Sequence, residues 1–286
     1  MPIKMTDLRF APGCHSSPGL KAWGFLAWAI KMRMARKLSI LTAFIYIGLS
    51  LACATMKTVR TDYTVQERTL ALGSGATLRY TLALPPSFSP EHSYPLILAF
   101  HYGGQVTPYY GKPYLMNLVL PALGELAAIM VAPDCPGAGW TDPQSEKAVL
   151  ALLENIQKDF PIDPQRLLIT GYSLGAVGTW DLVFKHPNMF SAAIPISGLP
   201  PKGIVIIKTV TPFWVIHSRD DELFAFASVR TFVQFCKSQG LVVELKPFLG
   251  LSHYDFTKFT LALQEAVPWL KGLWQRATSP AESRSD

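Results

Sequence analysis

Short runs of unbroken apolar residues recur between stretches of helical periodicity, and this alternation restricts the fold more than any other feature of the chain. The runs cover residues 95–101, 128–133, 166–171 and 191–197, and 213–217 and 241–246 complete the set. An uninterrupted apolar strand is buried on both faces, as in a parallel sheet covered by helices. Between them, 145–160, 174–186, 222–239 and 256–274 carry apolar residues at helical spacing. Ahead of them, 65–72 and 77–84 alternate polar and apolar residues around Gly73-Ser74-Gly75, the pattern of a hairpin. An antiparallel start followed by strand–helix alternation predicts an α/β fold with a mostly parallel, eight-stranded sheet and helices on both faces.

One domain is expected from about residue 60 to 275, because no repeat, low-complexity tract or linker interrupts that span. The chain is 49% apolar over 286 residues, ample for a sizeable core. Its net charge of +6 comes from the first 54 residues, which hold seven Lys/Arg against one Asp. The remainder carries nineteen of each sign, with no basic cluster after Lys57, so no nucleic-acid partner is expected. The Ser/Pro/Glu-rich tail from 277 to 286 is expected to fray.

Residues 1–57 read as a leader. The uncharged segment 38–56 follows Lys31, Arg33, Arg36 and Lys37, which is the basic-then-apolar order of an export signal. Translation is expected to start at Met32 or Met34. Ala52-Cys53-Ala54 fits a small-x-small cleavage site, and Cys53 also sits where a bacterial lipoprotein would be lipidated. As a third reading, 19 uncharged residues span a bilayer as an uncleaved anchor. Each predicts a periplasmic, secreted or envelope-bound protein, touching membrane only through this segment. Cys135 and Cys236 are left as either a disulfide pair or two buried thiols.

In parallel sheets ligands bind beyond the carboxyl ends of the strands. There the chain has Gly171-Tyr172-Ser173-Leu174-Gly175, after a strand run and before a helical one. Such a turn exposes a serine hydroxyl above the sheet and needs small flanking residues. A serine is a weak nucleophile without a base, and the base needs an acid to orient it. Of six histidines only His253, in the loop after the last strand run, follows a candidate acid. Asp220, Asp221 and Glu222 all lie after the preceding run, and spacing does not choose among them; two of them are expected to cap a helix starting there.

These residues give the chain, over roughly 65–272, a resemblance to α/β-hydrolase superfamily serine esterases. It is most similar to the compact group with polyhydroxybutyrate depolymerase-like and feruloyl esterases, dienelactone hydrolases and phospholipase/carboxylesterase-type enzymes. The acid strand of that group typically reads apolar-His-Gly-x-x-Asp. Val215-Ile216-His217-Ser218-Arg219-Asp220-Asp221 follows it with Ser218 for glycine, so the resemblance implies Asp221 as the acid. It also implies an oxyanion hole from the backbone amides of Leu174 and of Tyr102 or Gly103, in His101-Tyr102-Gly103-Gly104 where relatives carry His-Gly-Gly. Tyr102 and Trp140 are expected to line the substrate cleft, and His101 to be a structural hydrogen-bonder.

The expected activity is carboxylic ester hydrolysis by a Ser173–His253–Asp221 acyl-enzyme route on a small or polymeric ester. Two other readings stand beside it: a peptidase of the prolyl-oligopeptidase kind, and a non-catalytic binding protein on the same fold. The dozen residues from 199 to 210 leave no room for a large lid domain. No zinc, phosphate-loop or dinucleotide motif occurs, so neither metal nor organic cofactor is expected.

Overall fold

The computed structural model describes residues 62–73, 75–203 and 209–278. The leader and the tail beyond 278 lie outside these residues. Eight strands follow in chain order: β1 (Thr64–Ala71), β2 (Thr77–Leu84), β3 (Tyr94–Phe100), β4 (Ile129–Pro133), β5 (Ile162–Tyr172), β6 (Ala192–Ile196), β7 (Phe213–Ser218) and β8 (Val243–Phe248). They make one sheet in the order β1-β2-β4-β3-β5-β6-β7-β8. β1 and β2 form the predicted antiparallel hairpin, with Thr64 opposite Leu84 and Ala71 opposite Thr77. β2 joins β4 antiparallel, and every pairing from β4 through β3 to β8 is parallel.

Strand side chains alternate between faces, and the inner parallel strands are apolar on both, while the edge strand β8 carries Glu244 and Lys246. Leu96, Leu98 and Phe100 of β3 enter one core with Ile169, Phe213 and Val215, while Ile97 and Ala99 enter the other with Met130, Ile194 and Ile216. The first core is closed by α2 (Pro143–Asp159), α3 (Leu174–Lys185) and α4 (Phe226–Ser238), through residues such as Leu152, Trp180 and Val233. The second is closed by an irregular helix, α1, over 111–126, and by α5 (Phe259–Gln264) and α6 (Val267–Thr278). Each of the larger apolar side chains so buried contributes about 1.5–3 kcal/mol relative to exposure.

Two helical regions depart from expectation. α1 was not among the predicted helices: it runs as an α-turn (Gly111–Tyr114), a π segment (Leu115–Val119), an α-turn (Leu120–Leu123) and a 3₁₀ turn (Gly124–Leu126). Its sequence lacks a continuous polar face and carries Pro113 and Pro121, each without an N–H to give. The single helix expected over 256–274 is three pieces, a 3₁₀ turn (Phe256–Lys258), α5 and α6, with Pro268 in the first turn of α6, where its missing N–H costs nothing.

Cys135 and Cys236 are both free and buried, not paired. Burial raises both thiol pKa values, that of Cys236 to about 11, so neither is a thiolate at neutral pH. Among the described residues no helix is long and apolar enough to cross a membrane, and no cluster of three or more His, Cys, Asp or Glu is arranged to hold a metal ion.

Candidate active site

β5 passes into α3 through Ser173, whose backbone sits at φ 56° and ψ −119°. This is a conformation that residues with a Cβ rarely adopt, and it stores about 1–3 kcal/mol of strain. The turn is tied down by its neighbours: Ser173 N–H donates to the Ile196 carbonyl of β6 at 2.9 Å. α3 also runs hard against β3, since a Cβ on Gly175 would lie 2.0 Å from the Phe100 carbonyl oxygen. Glycine is therefore required there by close approach of two backbones, and the serine is left standing above the sheet.

Two side chains carried beyond two further strand ends, His253 and Asp221, extend a relay from that hydroxyl. His253 Nε2 lies 2.9 Å from Ser173 Oγ, and His253 Nδ1 lies 2.9 Å from Asp221 Oδ2. The other Asp221 oxygen, Oδ1, accepts the N–H groups of Leu223 at 3.0 Å and Phe224 at 2.8 Å. Burial alone would raise the Asp221 carboxyl, but the His253 hydrogen bond, the Phe224 N–H and the two nearby imidazoles outweigh it and hold it below its usual range. An ionised Asp221 keeps the proton of a neutral His253 on Nδ1 and leaves Nε2 free to accept from serine. His217 Nε2 donates to the Phe224 carbonyl at 2.7 Å, and burial lowers its pKa.

The acids beside Asp221 do not cap a helix, as two of the three were expected to do, because α4 begins only at Phe226. They hold the histidine loop instead. Asp220 Oδ2 accepts the Gly250 N–H at 2.6 Å; Glu222 accepts the Ser252 hydroxyl at 2.5 Å and the His253 N–H at 2.8 Å. The hydrogen bonds from His253 and Ser252 depress the Glu222 carboxyl. From the other side Tyr172 Oη donates to the His253 carbonyl, and burial raises the Tyr172 pKa, so the phenol stays protonated. The ring of His253 is thus fixed through its N–H, its carbonyl and its Nδ1.

The loop after β3 is pinned carbonyl by carbonyl. Trp140 Nε1 donates to the His101 carbonyl at 2.9 Å, His101 Nδ1 to the Tyr102 carbonyl at 2.6 Å, and Tyr110 Oη to the Gly103 carbonyl at 3.4 Å. His101 Nε2 accepts the Cys135 N–H at 3.0 Å, which fixes this tautomer; burial lowers the pKa of the ring and keeps it neutral. A trans peptide holds C=O and N–H antiparallel, so the Tyr102 and Gly103 N–H groups point away from the side chains that hold those carbonyls. With the Leu174 N–H, they donate to no acceptor among the described residues. Gly103 is also a close approach, because a Cβ there would meet Leu174 Cδ1 at 2.6 Å.

Trp140 does not line the cleft as expected. It is buried, stacks on Phe100 with ring centroids 4.0 Å apart, and works from beneath the loop through its N–H. Tyr102 does line it. The cavity, about 550 Å³, is bounded by Tyr102, Gly103, Gly104, Tyr172, Ser173, Leu174, Leu223, Phe224, His253, Tyr254 and Phe256. No Asp, Glu, Lys or Arg borders it among the described residues, so it suits an uncharged, largely apolar ligand with one polar centre at Ser173.

No family model matches the chain. It is 26% identical to feruloyl esterase D of Neurospora crassa over 210 residues, 68% of this chain and 69% of that protein. It is also 26% identical to a probable feruloyl esterase C of Aspergillus niger over 51% of this chain and 56% of the relative. Among solved structures, a thermostable esterase superposes with a TM-score of 0.61 at 24% identity, over 75% of this chain and 64% of its own.

Proposed function

We propose that this chain, which has the α/β-hydrolase fold of these esterases, is an exported serine hydrolase of carboxylic esters. The observation that carries the reading is the unbroken relay from Ser173 Oγ through His253 to Asp221 on the floor of an apolar cavity. In this reading Ser173 attacks the ester carbonyl as His253 Nε2 takes its proton, and Asp221 stabilises the imidazolium. The developing oxyanion is met by the Leu174 amide with that of Tyr102 or Gly103. His253 then protonates the departing alcohol, and water enters by the reverse route to free the acid. Sequence likeness to feruloyl esterases supports ester hydrolysis, and the basic-then-apolar leader supports export.

The test is labelling of the full chain by a fluorophosphonate, beside hydrolysis of p-nitrophenyl esters with two to sixteen acyl carbons. A phosphonyl adduct on Ser173 and hydrolysis of at least the shorter esters are expected. A folded chain that is neither labelled nor active would sink the reading.

The pinned β3 loop gives a further expectation. Trp140→Phe keeps an aromatic ring on Phe100 but removes the donor to the His101 carbonyl. Turnover is expected to fall roughly tenfold with little change in KM, less than the loss for deleting an oxyanion donor itself. Steady-state kinetics alongside a thermal melt separates this from the destabilisation of about 1–3 kcal/mol that the smaller ring should cause.

A further inference from the structure

The proposed reaction fixes where the alcohol half of the ester must lie. In acylation the bond from Ser173 Oγ to the carbonyl carbon forms and the bond from that carbon to the alcohol oxygen breaks. The proton taken from Oγ passes from His253 Nε2 to the departing oxygen, so the alcohol leaves within hydrogen-bonding reach of Nε2. Its surroundings are therefore the side chains around the His253 ring that open onto the cavity.

Those side chains present mostly ring and alkyl surface, with no charge or amide among them, and the Tyr172 hydroxyl is taken up by the His253 carbonyl. Phe224 and Tyr254 flank the His253 ring at centroid distances of 5.5 and 5.7 Å, and Leu223 lies beside Phe224 on the cavity wall. Leu223 and Tyr254 remain 54% and 71% exposed. The polar residues of the same two loops are turned elsewhere. Asp220 and Glu222 hold the histidine loop. Asp255 holds the Ser252 N–H and Lys258, and the Arg219 guanidinium lies over the Phe226 ring, 4.9 Å from its centroid. None of these four lines the cavity. A sugar or other polyol leaving there would give up its hydration without charged or amide groups to replace it. An alkyl or aryl alcohol would cover Leu223 and Tyr254 and gain by it.

We infer, resting on the proposed function, that the site is built for esters of apolar alcohols, with Leu223, Phe224 and Tyr254 as the leaving-group wall. The other aromatic cluster on the cavity, Tyr102 with Phe256 at 5.2 Å, is left for the acyl half.

The test holds the acyl group constant and varies the alcohol: methyl, butyl and glyceryl cinnamates, alcohols too similar in acidity for chemistry alone to rank them far apart. With the full chain, kcat/KM for the butyl ester is expected to exceed that for the methyl ester by about tenfold, since part of the three added methylenes is taken from water. The glyceryl ester should fall at or below the methyl ester. Leu223→Ser and Tyr254→Ser should each lower the butyl-to-methyl ratio by about threefold. A glyceryl ester preferred over the butyl ester, or a ratio that neither substitution moves, overturns the inference while leaving ester hydrolysis intact. Failure to hydrolyse any of the three cinnamates overturns the inference, and overturns ester hydrolysis with it where the chain is also neither labelled by a fluorophosphonate nor active on p-nitrophenyl esters.

Discussion

Alanine in place of Ser173 is expected to lower ester hydrolysis by about 10⁵-fold or more, leaving only what binding and the free amides supply. The fold should not notice. The hydroxyl makes one hydrogen bond, to His253 Nε2, and the residue opens onto a cavity from which water can replace it. Alanine keeps the Cβ, so the strain at φ 56° is the same in both proteins. The thermal midpoint is therefore expected to stay within about 2 °C while activity vanishes. Hydrolysis of p-nitrophenyl acetate and a circular-dichroism melt on the same sample read both quantities. A variant that kept more than about one hundredth of the activity would place the nucleophile elsewhere.

Asp221→Asn is expected to cost about 10⁴-fold in turnover with KM little changed, and for a reason that has nothing to do with size. Oδ1 already accepts two backbone N–H groups, from Leu223 and Phe224. An asparagine must keep its one carbonyl oxygen there, which turns its NH₂ toward His253 Nδ1. That nitrogen then has to accept, the ring proton moves to Nε2, and Nε2 now donates to Ser173 where it should accept. The variant would keep the geometry and hold the wrong tautomer. Fluorophosphonate labelling of Ser173 should slow in parallel with ester turnover, because both need the same proton transfer. Loss of turnover without loss of labelling would show Asp221 acting on some other step.

The sheet and the nucleophile turn were legible in the sequence because each rests on local chemistry. Runs of unbroken apolar residues read as strands covered on both faces, and the eight strands lie within two or three residues of the expected spans, apart from an earlier start to β5. Gly171 and Gly175 around Ser173 read as a turn with no room for side chains, and the structure has α3 packed against the β3 backbone there. What was hidden depends on side-chain direction or on contacts far along the chain. Trp140 was placed at the right end of the sheet, but nothing in a sequence says whether an indole faces the cleft or reaches under a loop to a carbonyl. Asp220 and Glu222 looked like helix caps because they precede a helical stretch. Their partners, the Gly250 and His253 N–H groups, are thirty and thirty-one residues away. The choice of Asp221 came from resemblance, and it is the acid whose oxygen meets His253. α1 escaped because its burial and its two prolines erase the periodicity that marks a surface helix.

The order of the strands in the sheet has a consequence in time. Ser173 and His253 stand 80 residues apart, and each is presented by a different strand end of a parallel array that no hairpin can nucleate. Such pairings form late, because long loops must close before they are rewarded. In the proposed reading the base comes last of all, on a loop behind the final strand, and the serine would acquire it only then. A refolding chain should regain helix and sheet before it regains any reactivity. On the same reading the serine would stay inert, throughout synthesis and folding, until all six parallel strands have been assembled.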